Sequence, residues 1–571
     1  MSDYKKTFGF MALLSAIVIL PFLGETIFYS KGEPREAIVA YSMLESGNWI
    51  LPLNYGTDIA YKPPFLYWSI AAISALAGGV SEFTSRMPSA LAFLAMLWAF
   101  FGFVARRNDT KTAWLTSLLL LTSFEVHRAA VACRLDMLQV AFIVTSLCLL
   151  FRWDERGCKR IPWLAVLLMA CGTLTKGPVG SIFPCMCIGL YQLLRGRPFV
   201  RTFLSLAGIG LLSLIPLGIW FYAAWQQGGQ SFVDLMLEEN TGRFFRKMSY
   251  PSHHNPFWYN FLTLIWGWLP WTPVLLVAGC LSWKAGSRET ITASWPERLK
   301  AAWTRFRSQP PLQLFTWVVI LAIFIFYCIP KSKRSVYLLP IYPFMALLMA
   351  QYLLALVQKG SRVFKGAAYF FSSLCLLLTA VFFTVRAGLV PDSIWGSGKH
   401  AAENIAFVQA LETASFSVPQ WLIILLPVVA AGCTLAVVFR KEGIRSQLYG
   451  VIGCMLCLFV SLDGVYQPTI LAVKSDKRLV EDINRHVPEG VVYSYTDRMI
   501  RFYCANYYLN DRMRNFTLEN PQSGHVILSE AVREEFLKTY GETYRLEEVF
   551  HTDYRSCDLR AKVVMYRFSL K

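Results

Sequence analysis

Two short stretches of the chain combine carboxylates with cations in a pattern that could do chemistry. The first runs from Gly32 to Trp68, with Glu33, Arg35 and Glu36 near its start and Tyr61 and Lys62 before a pair of prolines. The second places Arg134 two residues before Asp136. More cations follow at Lys176, Lys331, Lys333 and Arg334, with Tyr337 close behind. Such a set suits a substrate that carries phosphate. Lys and Arg stabilise charge developing on a leaving phosphate oxygen, and a carboxylate can act as base toward an attacking hydroxyl. Simpler roles stand beside these. Glu33 also reads as a helix N-terminal acid, because Pro34 suits a first helical turn. Asp136 also reads as an ion-pair partner of Arg134 or Arg128, and Lys62 and Lys176 as interfacial side chains.

The elements that must position these residues are mostly membrane helices. The chain has 571 residues, 55% of them hydrophobic and 16% charged, with a mean hydropathy of +0.42. Apolar runs recur from Phe8 to Leu462, so the expected class is mainly α, a polytopic membrane protein. The net charge of +18 could suggest nucleic acid, but most Lys and Arg fall in short breaks between apolar runs, where the positive-inside rule puts them. No nucleic-acid partner is expected. Lys5 and Lys6 precede the run Phe8 to Phe28, which is followed by no small-residue cleavage site and reads as an uncleaved first span with a cytoplasmic N-terminus.

Fourteen apolar runs can be counted, but that number puts five basic breaks on the outer face: those around Arg106, Arg152, Arg195, Lys359 and Arg440. If Pro64 to Gly78 lies along the membrane instead of crossing it, about thirteen transmembrane helices remain and all five breaks move to the cytoplasm. The segment begins with prolines, is short, and carries Tyr67 and Trp68, residues of membrane interfaces. This topology places the first loop (29–88), Arg128 to Asp136, the Lys176-Gly177-Pro178 turn, Ala223 to Pro256, Lys331 to Arg334 and everything after Leu462 outside. Residues 1–466 then form a membrane domain that carries the catalytic residues, and 467–571 a soluble domain. In the latter, LVEDINRHV and VREEFLKTY read as helices and GVVYSYT, HVILSE and KVVMYRFSL as strands, which predicts a small α/β domain. Cys504 and Cys557 both lie there; a disulfide and two separate thiols are both open readings.

The order of the motifs resembles a known family. Gly32-Glu33-Pro34-Arg35, Ser46-Gly47-Asn48-Trp49, Lys62-Pro63-Pro64 with Tyr67-Trp68, Ser85-Arg86-Met87-Pro88 and Arg134-Leu135-Asp136-Met137 come first. Leu174-Thr175-Lys176-Gly177-Pro178, Glu239-Asn240 with Arg243-Phe244, His253 ahead of Pro256-Phe257-Trp258-Tyr259, Leu269-Pro270-Trp271, and Lys331-Ser332-Lys333 with Tyr337 to Pro340 follow. Over about the first 345 residues this resembles the GT-C glycosyltransferases, those related to protein O-mannosyltransferases and above all the bacterial transferases of 4-amino-4-deoxy-L-arabinose to lipid A.

That resemblance implies a GT-C fold and an inverting transferase, one that moves a sugar from polyprenyl (undecaprenyl) phosphate to lipid A or another glycolipid. It implies a monomer in the bacterial inner membrane, among membrane lipids, with its site and C-terminal domain facing the periplasm. Glu33, Glu36 and Asp136 would be the catalytic carboxylates. Arg35, Tyr61, Lys62, Arg134, Lys176, Glu239, Arg243, His253, Lys331, Lys333, Arg334 and Tyr337 would bind substrate. Two positions depart from the family. Its usual Asp is Gly32 here, so Glu33 or Glu36 would have to serve as base. The Glu that joins a His in holding a divalent metal is Tyr61, which leaves His253 as the one residue of that metal pair and the cofactor unknown. Protein hydroxyls are alternative acceptors. In another class, a flippase of lipid-linked saccharides would also need many spans and basic pockets, but it would favour charged or broken helices at mid-membrane and internal repeats.

Overall fold

The structure is a computed structural model, and it describes residues 2–56, 58–60, 62–238, 255–285, 294–330, 332–396, 401–496 and 502–571. The chain starts with α1 (Ser2–Ile19) and then enters a long excursion before its next long apolar helix. In that excursion α2 (Pro34–Ser46) opens with Pro at its first turn and closes at Gly47, whose φ of 67° is the left-handed conformation of a helix C-cap. Strands β1 (Leu53–Asn54) and β2 (Asp58–Ile59) pair antiparallel. Helix α3 (Phe65–Ala77) has 13 residues, about 20 Å at 1.5 Å per residue and short of a bilayer's ~30 Å hydrocarbon core. It buries Leu66, Tyr67, Ile70, Ala71 and Ser74 against its neighbours.

Helix α4 (Glu82–Arg107) starts from a Ser81–Thr84 capping box. α5 (Thr110–Leu121), capped by Asp109, and α6 (Phe124–Ala130) follow, and then α7 (Leu135–Glu155). α8 (Trp163–Lys176) and α9 (Val179–Leu194) form a tight hairpin, and α10 (Phe199–Leu237) is two helices meeting at Gly229. The helical part of α10 reaches Leu237, so the segment from Ala223 that the charge pattern is expected to place outside begins as helix. Eight helices among the described residues are long and apolar enough to cross a membrane. A ninth results if the pair at Tyr259–Gly267 and Trp271–Leu281, bent by 102°, is one span. That bend falls inside the single apolar run from Phe257 to Leu281. One apolar core joins α1, α4, α5, α7 and α9 to Pro311–Cys328 and Tyr342–Gln358, with Phe151, Phe315 and Phe344 at its centre.

The last part of the chain is the expected α/β unit. Its sheet has the order β4 (Met513–Asn515), β3 (Val492–Tyr495), β5 (Ser523–Ser529), β7 (Val563–Leu570), β6 (Tyr544–His551). β3 runs parallel to β4 and β5, and β7 antiparallel to β5 and β6. The unit packs on the first excursion. Asp511 accepts hydrogen bonds from Ser42 Oγ (3.0 Å) and the Tyr55 amide (3.2 Å), and Tyr508 Oη donates to Glu82 (2.6 Å).

The α8–α9 hairpin fixes one element of the site by backbone contact. A Cβ on Gly180 would lie 2.4 Å from the Gly172 carbonyl carbon, so the two helices touch main chain to main chain. Gly177, between them, has φ 82° and ψ −163°, a conformation open only to glycine. Gln139 of α7, with its amide turned to satisfy both, donates to the Gly172 carbonyl (2.8 Å) and accepts from the Gly180 amide (3.1 Å). Lys176 thus sits at a rigid tip, joined to α7 one turn from Asp136. Gly180→Ala is expected to destabilise the protein by about 1–3 kcal/mol and to lower turnover by moving Lys176. Thermal unfolding and a transfer assay would show this against Gly208→Ala, whose added Cβ meets nothing within 4 Å.

Candidate active site

The excursion, the α6–α7 loop and the α8–α9 tip bring three charged groups together. In the first, Glu33 is buried and held on both oxygens. Arg86 of α4 donates through Nε to Oε1 (2.8 Å) and through Nη2 to Oε2 (3.0 Å), and the Cys133 amide adds a bond to Oε1 (2.9 Å). Arg86 Nη1 is spent on the carbonyls of Leu23 (2.8 Å) and Thr26 (2.5 Å). Burial raises the Glu33 pKa, but the Arg86 charge and its hydrogen bonds outweigh that and hold it below the ordinary carboxylate range.

The second group surrounds Glu36, 3% exposed. Lys62 pairs with its Oε1, Arg35 Nη2 does so at 2.8 Å, and Tyr67 Oη donates to Oε2 at 2.8 Å. Burial opposes ionisation, yet Lys62 and then Arg35 drive its pKa well below the usual carboxylate value. In the third group, Asp136 accepts from Lys176 Nζ at 2.5 Å. The same ammonium stands 4.9 Å from the centre of the Tyr337 ring, which stacks on Tyr327 at 5.2 Å. Besides Lys176, Arg334 and Arg134 are the charges that act on Asp136.

Arg134 links the groups. Its charge acts on both Glu33 and Asp136, and a Cβ on Gly32 would lie 2.3 Å from its Nη2. The guanidinium thus occupies the space that any side chain at position 32 would enter. Neither Arg134 nor Arg334 forms an ion pair among the described residues. Arg134 also lines a cavity of about 110 Å³ with Tyr29, Glu33, Arg86, Arg128 and Asp463. In that cavity Arg86 is paired to Glu33, Arg128 to Glu125 (2.7 Å) and Asp463 to His127 (2.6 Å). Of the three guanidinium groups that line it, Arg134 is the one with no ion pair among the described residues.

Lys333 lies apart from the carboxylates: 4% exposed, it donates to the Pro330 carbonyl and, at 3.5 Å, to that of Asn255. Tyr61, Glu239, Arg243, His253 and Lys331 lie outside the described residues. The metal donors that the family pattern would name here, His253 and Tyr61, include no carboxylate and fit a divalent cation poorly, so no chemical step is assigned to one. The Ser46–Trp49 motif has a structural explanation. Asn48 Oδ1 accepts from the amides of Ile50 and Leu51 (both 3.1 Å), and the turn it closes offers carbonyls to Trp68 Nε1 (2.7 Å) and Trp220 Nε1 (3.1 Å). Arg86 and Tyr67, which fall in the quoted motifs without being candidate site residues, and Gln139, which falls outside them, also build the site. For Arg86 the available signal is a lone guanidinium at the head of a long apolar helix.

A bundle of apolar helices thus carries its charged groups on excursions, and a small α/β unit is docked on the first of them. Comparison with known proteins makes this more particular. Residues 61–220 match the family described as dolichyl-phosphate-mannose-protein mannosyltransferase. The chain is 28% identical over 394 residues to an uncharacterized protein of Aquifex aeolicus, covering 67% of this chain and 72% of that one. It is 26% identical over 392 residues to an undecaprenyl phosphate-alpha-4-amino-4-deoxy-L-arabinose arabinosyl transferase of Shewanella sediminis, covering 66% of each. Its fold matches that of ArnT from Cupriavidus metallidurans, solved with undecaprenyl phosphate bound, with a TM-score of 0.69 and 19% identity over 97% of both chains. The chain is accordingly an ArnT-like GT-C glycosyltransferase and a multi-pass membrane protein.

Because the Glu33–Arg86 pair is buried, removing one partner strands the other. Glu33→Gln is expected to cost about 3–5 kcal/mol, and Glu33→Gln with Arg86→Met to regain part of it, read by thermal unfolding in detergent. Both Glu33 and Glu36 are held below the reference value of 4.5. Their contribution to stability is therefore complete above that pH and is lost as the pH falls below it. Unfolding temperatures should hold from neutral pH down to about pH 5 and then drop, and Glu36→Gln should blunt the drop.

Proposed function

We propose that this chain takes a sugar from a polyprenyl phosphate and transfers it, with inversion, to a phosphate group of lipid A or a similar anionic glycolipid at the outer face of the bacterial inner membrane. One observation carries the choice of acceptor. Glu33, Glu36 and Asp136 are all engaged by cations, while Arg134 and Arg334 have no carboxylate of their own among the described residues. A hydroxyl acceptor needs a carboxylate free to take its proton. A phosphate acceptor arrives already ionised and needs cations to hold it. Arg134, lying against Gly32 where a side-chain carboxylate would otherwise reach, supplies one.

In this reading the donor phosphate lies near Lys176, Arg334 and Lys62, where positive charge meets the negative charge that grows as the bond between sugar carbon and phosphate oxygen breaks. Asp136 holds the Lys176 ammonium in place, and Tyr337 limits its movement on the other side. Glu36 does the same for Lys62 and Arg35. The acceptor phosphate approaches on the Arg134 side and attacks the anomeric carbon opposite the departing phosphate, so a single displacement inverts the centre. The relatives named as arabinosyl transferases support 4-amino-4-deoxy-L-arabinose as the sugar. The carrier lipid in their name, undecaprenyl phosphate, is also the lipid bound in the Cupriavidus structure.

Purified protein given polyprenyl-phosphate sugar and lipid A should release free polyprenyl phosphate and yield glycosylated lipid A. Lys176→Ala and Asp136→Asn are each expected to lower kcat by about 100-fold or more. Arg134→Ala should chiefly weaken use of the acceptor. Equal turnover with lipid A lacking its phosphates would overturn the acceptor assignment, and unimpaired turnover by Lys176→Ala, Asp136→Asn and Lys62→Ala would overturn the site.

A further inference from the structure

Cys504 and Cys557 are 53 residues apart in the C-terminal unit, and the fold puts their sulfur atoms within 4.8 Å of each other. Cys504 is fully buried at the start of the helix Tyr503–Tyr508. Cys557 lies in the turn before β7. Each main chain is fixed from the other's side. The Cys504 amide donates to Asp558 Oδ2 (2.7 Å), next in sequence to Cys557. The Cys557 amide donates to Asp476 Oδ1 (2.8 Å), and Ser556 Oγ to Asp476 Oδ2 (2.9 Å). The two thiols are thus presented to one another by backbone that has no freedom to drift apart.

The location gives the pair a consequence. The Cys504 helix is the one that holds the first excursion: the Phe28 amide donates to Tyr508 Oη (2.9 Å), Tyr507 Oη donates to the Val80 carbonyl (3.3 Å), and the Tyr507 ring meets Phe28 edge-on at 4.9 Å. Cys504 Sγ itself touches the Phe28 carbonyl at 3.3 Å, an oxygen that also accepts from Ser475 Oγ at 2.6 Å. Phe28 is five residues before Glu33. Whatever steadies this helix therefore steadies the segment that leads into the charged site.

We propose that Cys504 and Cys557 form a disulfide in the mature protein, and that this bond locks the C-terminal unit onto the first excursion. The inference rests on the outer-face placement of this unit, where thiols meet an oxidising compartment. Two S–H bonds break and one S–S bond forms. The two protons go to solvent, and the two electrons reduce the disulfide of a thiol-oxidising protein to its dithiol. Closing to a bond of about 2.05 Å asks the sulfurs to move by no more than about 3 Å. The Phe28 carbonyl, on losing the Cys504 thiol, keeps its bond to Ser475. Asp476 is the third group near the sulfurs, but both of its oxygens are already turned to Cys557 N and Ser556 Oγ, which favours a disulfide over a shared metal ion.

The test is peptide mapping of the full-length protein from membranes quenched in acid, alkylated before and after reduction, with a C-terminal tag whose side of the membrane is read by protease protection. The expected result is an outward tag and a linked pair of peptides, two hydrogens lighter than the dithiol, that separates on reduction. Reductant should lower the unfolding temperature of the native chain and leave a Cys504→Ser/Cys557→Ser variant unmoved; the mapping stands even if that variant fails to fold. An outward tag with both thiols alkylated before reduction overturns the disulfide and leaves the topology intact. An inward tag overturns the placement and the inference with it. Thiols that become reactive only after a chelator, with about one metal ion per chain, overturn it in favour of a metal site.

Discussion

The buried pair of Glu33 and Arg86 is the constraint on which the charged site and the first excursion depend. A carboxylate and a guanidinium removed from water are stable only if every lone pair and N–H is answered, and here each one requires a different segment. Arg86 comes from α4, its Nη1 binds carbonyls in the turn that follows α1, Glu33 comes from the head of α2, and Cys133 from the loop before α7. Four segments far apart in sequence must arrive together for any of them to be satisfied. Once they do, Gly32, Arg134 and Asp136 are placed as a consequence, because they are neighbours in sequence of groups already fixed.

Around this anchor the site is built by giving each carboxylate a cation and leaving cations over. Asp136 steadies Lys176, which the glycine contact between α8 and α9 already holds at a rigid tip. Glu36 steadies Lys62 and Arg35. None of these pairs sits in open solvent, so their attraction is weakly screened, and the cations are held in place before substrate arrives. The excess falls to Arg134 and Arg334, whose charges both act on Asp136. Under the proposed function such a surface receives anions and offers little to a group that must first lose a proton.

Several elements are legible in the amino-acid sequence. The apolar runs and the side on which their basic breaks fall predict a membrane bundle, and the proline-led run Pro64 to Gly78 corresponds to the 13-residue helix α3. In the tail, the alternation in GVVYSYT, HVILSE and KVVMYRFSL locates β3, β5 and β7. Strand β6 escapes because it is an edge. Its Glu547 and Glu548 face water, and charged edge strands lack the apolar alternation that betrays inner ones. The bend between Tyr259–Gly267 and Trp271–Leu281 escapes as well, since hydropathy records that residues are apolar and not in which direction the chain continues.

The candidate site divides along the same line. Motif order alone brings forward Glu33, Glu36, Lys62, Arg134, Asp136 and Lys176, because the chemistry of phosphate demands charged residue types and the membrane leaves few places for them. Which charge meets which is decided only by the fold. Nothing local distinguishes Glu33, locked to Arg86 some fifty residues away, from Glu36, locked to Lys62, or shows that Arg134 would fill the space beside Gly32. Sequence determines hydropathy, charge and the conformations open to Gly and Pro, all of which are properties of a residue and its near neighbours. Ion pairing depends on distances between residues remote in the chain, and those exist only once the helices have packed.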